Sequence, residues 1–275
     1  MFSVCAVLYG DHPQLARRLL NSLESHAYVQ DFRLGLNAVC DETKEVVVAW
    51  ALQQMHRCPV YTYEEDMGLN LGKYPLMRQM FRDRTPADKI MWFDDDSYLD
   101  HTTGVPWWHR IAEHSRGMLQ LGVPHYIQQR GRQHEVIVRQ PWYNNKPVDA
   151  KHRYRFATGG WWVADTAFLL QWNYPFPALY HNGGDSILGE LIRQQNGSVI
   201  HAIEEAQCHC ESCAMRGLRT GVPVVHINVG GRKGRRGIGV QNERYVWADG
   251  NTKPPLTHQD FDLRISRYEV ALYQA

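Results

Sequence analysis

Residues 89–98 constrain the fold of this chain more than any other stretch. Ile90–Phe93 form a short apolar run of buried-strand character, and Asp94, Asp95 and Asp96 follow directly. Burying one unpaired carboxylate costs several kcal/mol and adjacent carboxylates repel each other, so the triplet requires a counter-charge. A divalent metal is the simplest source of that charge. Because strand alternation points residues i and i+2 the same way, Asp94 and Asp96 are expected to face one metal site.

Three more apolar runs precede this strand, at residues 2–9, 32–39 and 58–63, and segments of helical spacing separate them. This β-α-β-α-β-α-β order predicts an α/β fold with a mostly parallel sheet flanked by helices. Ligands of such sheets bind beyond the carboxyl ends of the strands. A polar site is therefore expected on one rim, which would carry the acidic triplet together with residues 9–11, which include Tyr9 and Asp11, and Asp41.

Composition excludes some classes of protein. The 275 residues have a formal net charge of +1, so a basic or acidic partner would have to meet a local patch. No apolar run approaches the roughly 20 residues of a membrane span, and residues 1–10 lack the basic start of a signal peptide. The six cysteines do not suggest a disulfide framework. We expect a reduced, cytoplasmic protein that makes no membrane contact.

Two Gly-Gly turns mark the second half of the chain. Gly159-Gly160 precedes Trp161 and Trp162, and a second pair of glycines ends in Gly184, which precedes Asp185. Glycines let a backbone approach a ligand closely, and an aspartate at such a place can serve as a general base. An N-cap for the following helix is the alternative for Asp185, and both roles can hold together.

His226 ends an apolar run of strand character, and a glycine-rich basic loop follows at residues 230–237. Such a loop supplies the backbone N–H groups and cations that a diphosphate needs. A core histidine and a solvated loop are the alternatives. The basic residues of this loop are Arg232, Lys233, Arg235 and Arg236.

Two further segments each allow two interpretations. Cys208, Cys210 and Cys213 have the composition of a structural Zn²⁺ site, but their C-x-C-x₂-C spacing is not a paired knuckle, so free thiols are the alternative. Residues 128–156 carry seven basic residues against two acidic ones, interleaved with aromatic residues that include Trp142. Basic side chains can bind the phosphates of a nucleic acid, and aromatic rings can stack on its nucleobases. A structural insertion with a solvated basic face explains the same composition equally well.

Taken together, residues 2 to about 226 resemble the inverting, family 2-type nucleotide-sugar glycosyltransferases of the GT-A fold. Residues 93–96 are similar to the family's Asp-x-Asp motif, and Asp41 stands where the family uses an aspartate to hold the nucleotide base. The two Gly-Gly turns resemble its acceptor-side motifs. Two departures are visible: the usual acidic pair after the second turn is Asp185 and Ser186, and the usual Asp-rich segment after the second strand is only Asp41-Glu42.

The resemblance implies one GT-A domain over residues 1–275, with a nucleotide-binding half at 1–100 and an acceptor-binding half at 101–275 that ends in the basic loop. It implies a sugar transfer with inversion from a nucleotide-diphosphate sugar, UDP-sugar favoured, with Asp185 as the base. It implies Mn²⁺ or Mg²⁺ held by Asp94, Asp96 and His226. The implied donor contacts are Tyr9, Asp11, Asp41, Asn70, Lys73, Asp94, Asp95, Arg232, Lys233, Arg235 and Arg236. The implied acceptor contacts are Gly159, Gly160, Trp161, Trp162 and Gly184.

The acceptor is open at this stage. A small transferase without an anchor also resembles phage-encoded enzymes that glycosylate hydroxymethylated pyrimidines in DNA, where Trp142, Trp161 or Trp162 would fill the gap left by a flipped base. A glycan or protein acceptor is the alternative. A sugar-phosphate nucleotidyltransferase would need a long glycine-rich basic signature after the first strand, which residues 9–13 lack. A zinc-stabilised nucleic-acid-binding module would not explain acidic residues at three strand ends.

Overall fold

The computed structural model describes residues 1–65, 71–101, 107–115, 120–128, 134, 137–145, 153–177, 179, 184–196, 207–209, 214–216, 224–226 and 263–268. The helices are α1 (Pro13–Ser22), α2 (Asp41–Gln54), α3 (Lys73–Arg82), α4 (Trp107–His114), α5 (Thr166–Gln171) and α6 (Gly184–Asn196). The strands are β1 (Phe2–Tyr9), β2 (Val29–Asn37), β3 (Val60–Glu65), β4 (Lys89–Asp94), β5 (Ser97–Leu99), β6 (Gln120–Gln128), β7 (Arg153–Asp165), β8 (Gln207–His209), β9 (Ala214–Arg216), β10 (Val224–His226) and β11 (Leu263–Tyr268).

The main sheet has the order β11-β3-β2-β1-β4-β7-β6 among the described strands. Its four central strands, β3, β2, β1 and β4, are parallel. At the two edges, β11 pairs antiparallel with β3, β7 pairs antiparallel with β4, and β6 pairs antiparallel with β7. This confirms the α/β fold with a mostly parallel centre and the alternation over the first hundred residues. A smaller antiparallel sheet has the order β5-β10-β9-β8.

Helices bury both faces of the main sheet. Alternate residues of β1 point to opposite sides: Val4, Ala6 and Leu8 join the core beneath α1, α2 and α4, whereas Cys5 and Val7 join the core beneath α3, α5 and α6. The run of apolar residues in β1 is therefore what a strand covered on both faces requires. The predicted start of β2 was three residues late and its predicted end two residues late. The strand ends at Asn37 because Ala38 takes a positive φ of 52°.

A buried ion pair ties β2 to α3. Arg33 donates through Nε to Asp31 Oδ1 at 3.0 Å and through Nη2 to Asp31 Oδ2 at 2.8 Å. Its Nη1 donates to the Met80 carbonyl at 2.5 Å, near the end of α3 where carbonyls have no helical partner. Burial disfavours the charge on the guanidinium, but the bonds to Asp31 outweigh that effect and raise the pKa of Arg33. The pair therefore holds the carboxyl end of α3 against the sheet.

None of the helices in the described part of the chain has the length and apolar character that crossing a bilayer demands.

Candidate active site

The carboxyl ends of β1, β2 and β4 meet at one rim, at the point where the order 3-2-1-4 reverses. The Tyr9 amide donates to Asp95 Oδ2 at 3.2 Å, which fixes the turn after β4 to the end of β1. Asn37 ends β2, and its side-chain Oδ1 accepts a bond from the Leu71 amide at 2.9 Å. Asn37 thus positions the start of the segment that leads into α3. Crevices at such switch points are where open α/β sheets bind ligands.

Lys73 joins two carboxylates at this rim. Its Nζ lies 2.9 Å from Asp94 and 3.9 Å from Asp185 Oδ1. Trp92 Nε1 also donates to Asp94 Oδ1 at 2.9 Å. Because Lys73 is the first residue of α3 and Asp185 lies in the first turn of α6, packing of these helices on one face of the sheet brings the three charges together.

The surroundings of Lys73 stabilise its protonated, positively charged form. Burial favours the neutral amine, but the carboxylates of Asp94 and then Asp185 outweigh burial and raise the pKa of Lys73. The ammonium group also lies 5.5 Å from the centre of the Trp92 ring, within the range of a cation–π contact. Lys73 is therefore a permanent cation at neutral pH, and it supplies part of the counter-charge that the sequence required of the triplet.

Asp185 is oriented by a buried tyrosine. The Tyr74 hydroxyl donates to Asp185 Oδ1 at 3.1 Å, and burial, followed by the charge of Asp185, raises the pKa of Tyr74. Gly184 lies against the same ring, since a Cβ at this position would meet Tyr74 atoms at 2.2–2.4 Å. Tyr174 donates to the Gly184 carbonyl at 3.4 Å. The glycine before Asp185 thus leaves room for the Tyr74 ring, a contact that no local sequence pattern predicts.

Asp96 lies in the turn between β4 and β5. Like Asp95 it is 3% exposed, whereas Asp94 is partly exposed. In the smaller sheet, β10 pairs with β5 so that His226 lies opposite Ser97, the residue after Asp96. The strand register therefore brings the backbone of His226 beside the acidic triplet, from 130 positions further along the chain.

Divalent metals of the Mg²⁺ and Mn²⁺ type prefer oxygen ligands, and the rim offers carboxylates. Among the described side chains, however, no group of three or more His, Cys, Asp or Glu has an arrangement that could hold a metal ion. The geometry explains this for the triplet, because Asp94 faces Lys73 and Trp92 while Asp95 bonds to the end of β1. Asp94 and Asp96 supply carboxylate oxygens of the kind that such a metal takes, and the side chain of His226 is not among the described ones.

The tryptophans expected at the acceptor side are core residues. Trp162 is 1% exposed and stacks on Trp92 with ring centres 6.0 Å apart, because β7 pairs with β4 in a register that sets these residues opposite each other. Trp161 is 5% exposed in the core on the other face, and Trp142 is fully buried. This differs from the expectation that one of these rings fills the gap left by a flipped base. The prediction of a turn at Gly159-Gly160 was wrong, because both glycines lie within β7, where Gly160 is buried.

Other predicted contacts have simpler placements. Asp11 is exposed just after β1, and Asp41 is exposed in the first turn of α2, where a carboxylate complements the helix dipole. For Gly159 in β7 and Cys208 in β8, the structure describes only the backbone. The predicted site residues that lie outside the described part of the chain are Asn70, Arg232, Lys233, Arg235, Arg236, Cys210 and Cys213.

A cavity of about 590 Å³ lies away from this rim. Its lining includes Asp88 and Asp165, which lie beside the amino end of β4, together with Phe168 and Leu170 of α5. Since ligands of parallel sheets bind at the carboxyl ends of the strands, the Lys73–Asp94–Asp185 cluster is the better candidate site.

No protein-family model matches the sequence. No curated protein matches it significantly either. Several solved structures are similar. One is S. aureus TarS, residues 1–349, at 18% identity over 70% of this chain and 54% of that chain, with a TM-score of 0.45. Another is the mannosyltransferase PcManGT from Pyrobaculum calidifontis in complex with GDP-Man and Mn²⁺, at 15% identity over 68% of this chain and 49% of that chain, with a TM-score of 0.45.

A third is glucosyl-3-phosphoglycerate synthase from Mycobacterium tuberculosis in complex with Mn²⁺, UDP and glucosyl-3-phosphoglycerate, at 13% identity over 73% of this chain and 68% of that chain, with a TM-score of 0.44. The chain spans about half the length of the first two structures. All three are distant likenesses, and the functional argument therefore rests on the side chains of the rim.

Proposed function

We propose that this chain is a metal-dependent GT-A glycosyltransferase that moves a sugar from a nucleotide-diphosphate sugar, UDP-sugar favoured, to a hydroxyl acceptor with inversion. One observation carries the proposal: Lys73 joins Asp94 at the end of β4 to Asp185 at the start of α6, at the switch point of the sheet. A carboxylate for the donor and a carboxylate for the acceptor thus face one crevice. Residues 1–275 would form one such domain, with the donor half at 1–100.

The donor side would be built on the acidic triplet. Asp96, Asp94 and His226 would hold Mn²⁺ or Mg²⁺, which, when bound, neutralises charge on the leaving nucleotide diphosphate. Lys73 adds a fixed cation beside the same carboxylates. Asp95 keeps the turn after β4 in place through its bond from the Tyr9 amide, so its role is to position the metal ligands on either side of it.

The acceptor side would be built on Asp185. Its carboxylate removes the proton of the acceptor hydroxyl while that oxygen forms a bond to the anomeric carbon and the bond to the diphosphate breaks. A single displacement of this kind inverts the anomeric centre. The Tyr74 hydroxyl and the Lys73 ammonium group lie 3.1 Å and 3.9 Å from Asp185 Oδ1, and both orient the carboxylate. An aspartate in the first turn of α6 also complements the helix dipole, and this role is compatible with catalysis.

For the acceptor, a hydroxymethylated pyrimidine in DNA has its support in the basic sequence of residues 128–156. The buried positions of Trp142, Trp161 and Trp162 remove the base-stacking part of that argument. A glycan or protein hydroxyl is the alternative, and it requires no base flipping.

Slow hydrolysis of the donor tests the proposal without a known acceptor. Purified protein is incubated with UDP-, GDP- and dTDP-sugars in Mn²⁺ or EDTA, and nucleotide release is measured. We expect metal-dependent release from one donor, its loss in Asp96→Asn, and its retention in Asp88→Asn, whose side chain is 91% exposed at the other edge of the sheet. A nucleic-acid-binding module would release none, and a nucleotidyltransferase would instead form pyrophosphate from a nucleoside triphosphate and a sugar phosphate.

A further inference from the structure

Two arginines of α3 share one neutral acceptor. Arg78 Nη1 donates to Asn173 Oδ1 at 2.9 Å and to the Pro175 carbonyl at 2.7 Å. Arg82 Nη2 donates to the same Asn173 oxygen at 3.0 Å, and its Nη1 lies 3.5 Å from the Tyr174 carbonyl. Both side chains are half-buried. The two guanidinium groups therefore converge on the segment between α5 and α6.

The negative partners of this pair differ from those of the other buried cations. Within the described residues, no carboxylate forms an ion pair with Arg78 or Arg82, whereas Arg33 has one carboxylate partner and Lys73 has two. All four bonds of the pair go to neutral oxygens. Burial lowers the pKa of both residues, and the charge of Arg78 lowers the pKa of Arg82 further, to about 10. Two adjacent positive charges thus stand partly desolvated without compensation, which is energetically unfavourable unless an anion completes the site.

The donor groups that remain fit an oxyanion. A guanidinium group has five N–H groups in a planar fork. In the bonds described above, Arg78 donates only through Nη1, and Arg82 donates only through its two Nη atoms. The Nε–H group of each guanidinium can therefore donate to a ligand. Bidentate contact through such an edge is the geometry with which arginine binds phosphate.

We propose that Arg78 and Arg82 form a binding site for a phosphate group, separate from the site of the donor diphosphate. Tyr74, Arg78 and Arg82 follow each other at intervals of four residues, so they share one stripe of α3. At a rise of about 1.5 Å per residue, Arg78 lies roughly 6 Å and Arg82 roughly 12 Å along the axis from Tyr74, away from the rim. The phosphate is either free inorganic phosphate or an ester group on a molecule that extends from the rim along this stripe.

Asn173→Asp tests this site most sharply. The substitution keeps the shape of the side chain, supplies a built-in carboxylate to both arginines, and suits the positive φ of 55° at this position. The full chain is melted at constant ionic strength in chloride and in increasing inorganic phosphate. For wild type we expect phosphate to raise the Tm by about 2–4 °C over chloride. We expect Asn173→Asp to melt higher than wild type in chloride and to show no further rise with phosphate.

Two other variants keep the test decisive. Arg82→Gln should lose the phosphate-dependent rise in Tm, and Arg57→Gln, at an exposed position, should retain it. Glycerol phosphate, added at the same concentrations, distinguishes the sources: a larger rise than with inorganic phosphate assigns an ester ligand, and an equal rise assigns free phosphate. A wild-type Tm that is equal in phosphate and chloride, or an unchanged phosphate response in Asn173→Asp, would overturn the proposal. The test uses no residue of the candidate active site and no nucleotide sugar, so it stands or fails apart from the proposed function.

Discussion

Two charged clusters hold opposite ends of α3, and they differ in how completely their charges are matched. At the carboxyl end, the side chains of Arg33 and Asp31 are 0% and 6% exposed and form a bidentate pair. At the amino end, Lys73 is 14% exposed and is shared by Asp94 and Asp185, at 23% and 26%. One cation here serves two carboxylates, with Asp95 and Asp96 beside them.

The difference separates a structural cluster from a functional one. The first cluster is closed, with charges balanced and the remaining guanidinium bonds given to backbone carbonyls. Among the described side chains, the second cluster has more carboxylates than cations, is partly exposed to solvent and lies at the switch point of the sheet. A cluster of that kind is stabilised by adding a cation or a ligand, and this is what a binding site requires. The predictions below test this distinction.

The largest expected effect on stability is at the closed cluster. Arg33→Met leaves the Asp31 carboxylate buried and unpaired, so the free energy of unfolding should fall by about 3–5 kcal/mol. Urea denaturation followed by circular dichroism measures it. The exposed Arg57→Met is the matched control and should change stability by less than about 0.5 kcal/mol. A loss below 1 kcal/mol in Arg33→Met would show that the pair is not the structural element described here.

At the open cluster we expect the reverse pattern. Asp185→Asn should lower sugar transfer by roughly 10²–10⁴-fold, because the proposed base is lost, while donor binding stays nearly intact. Stability should fall by no more than about 1 kcal/mol. Transfer is measured with the acceptor found by screening, and donor binding by calorimetry. If Asp185 acted only at the helix terminus, Asp185→Asn would transfer sugar at the wild-type rate.

A smaller effect is expected from Lys73→Met. The substitution removes a charged donor beside the donor rim, and a charge-assisted hydrogen bond contributes about 1.5–3 kcal/mol, so the KM for the nucleotide sugar should rise by about 10–100-fold. Initial rates of donor hydrolysis give this value. An unchanged KM would mean that Lys73 only neutralises the two aspartates.

The smallest expected effect concerns the reactivity of three cysteine thiols, Cys5, Cys40 and Cys58. Cys5, beside the closed cluster, and Cys58 are buried, and burial raises the pKa of Cys58 from 9.0 to about 12 and that of Cys5 as well. Because the folded-state pKa lies above the unfolded one, the stability that the neutral thiols contribute is present below pH 9 and is lost as pH rises through about 12. Between pH 7 and 9, alkylation mapped by mass spectrometry should therefore modify the half-buried Cys40 of the rim before Cys5 or Cys58. Equal rates for the three would contradict the described burial.

The local sequence pattern was enough to predict strands that are buried on both faces and strands that end in charged residues. The apolar run of β1 and the strand before the acidic triplet came directly from composition and alternation. For β2 the pattern predicted the strand, with Arg33 inside it, but placed its start at residue 32 instead of Val29. Asp31 is tolerated inside the strand because Arg33 neutralises it, an interaction that the local pattern did not indicate.

In the candidate site, too, some residues were predicted from the sequence, but their contacts were not. Lys73, Asp94 and Asp185 were each expected from their sequence context, but their mutual contact depends on how α3 and α6 pack. Tyr74 was missed, since its bond partner Asp185 lies 111 positions away. Trp161 and Trp162 were expected at the acceptor because they follow a predicted Gly-Gly turn. The pairing of β7 with β4 places them in the core, and that register has no local signal.

The central claim is that the acidic triplet holds a metal-bound nucleotide sugar. Isothermal titration of the full chain with UDP-sugars, in Mn²⁺ and in EDTA, tests it most directly. The account predicts binding of one donor in Mn²⁺ that weakens at least about tenfold in EDTA, and equally in Asp96→Asn with Mn²⁺ present. Binding that is the same with and without metal, or a chain that binds no nucleotide sugar under either condition, would contradict it.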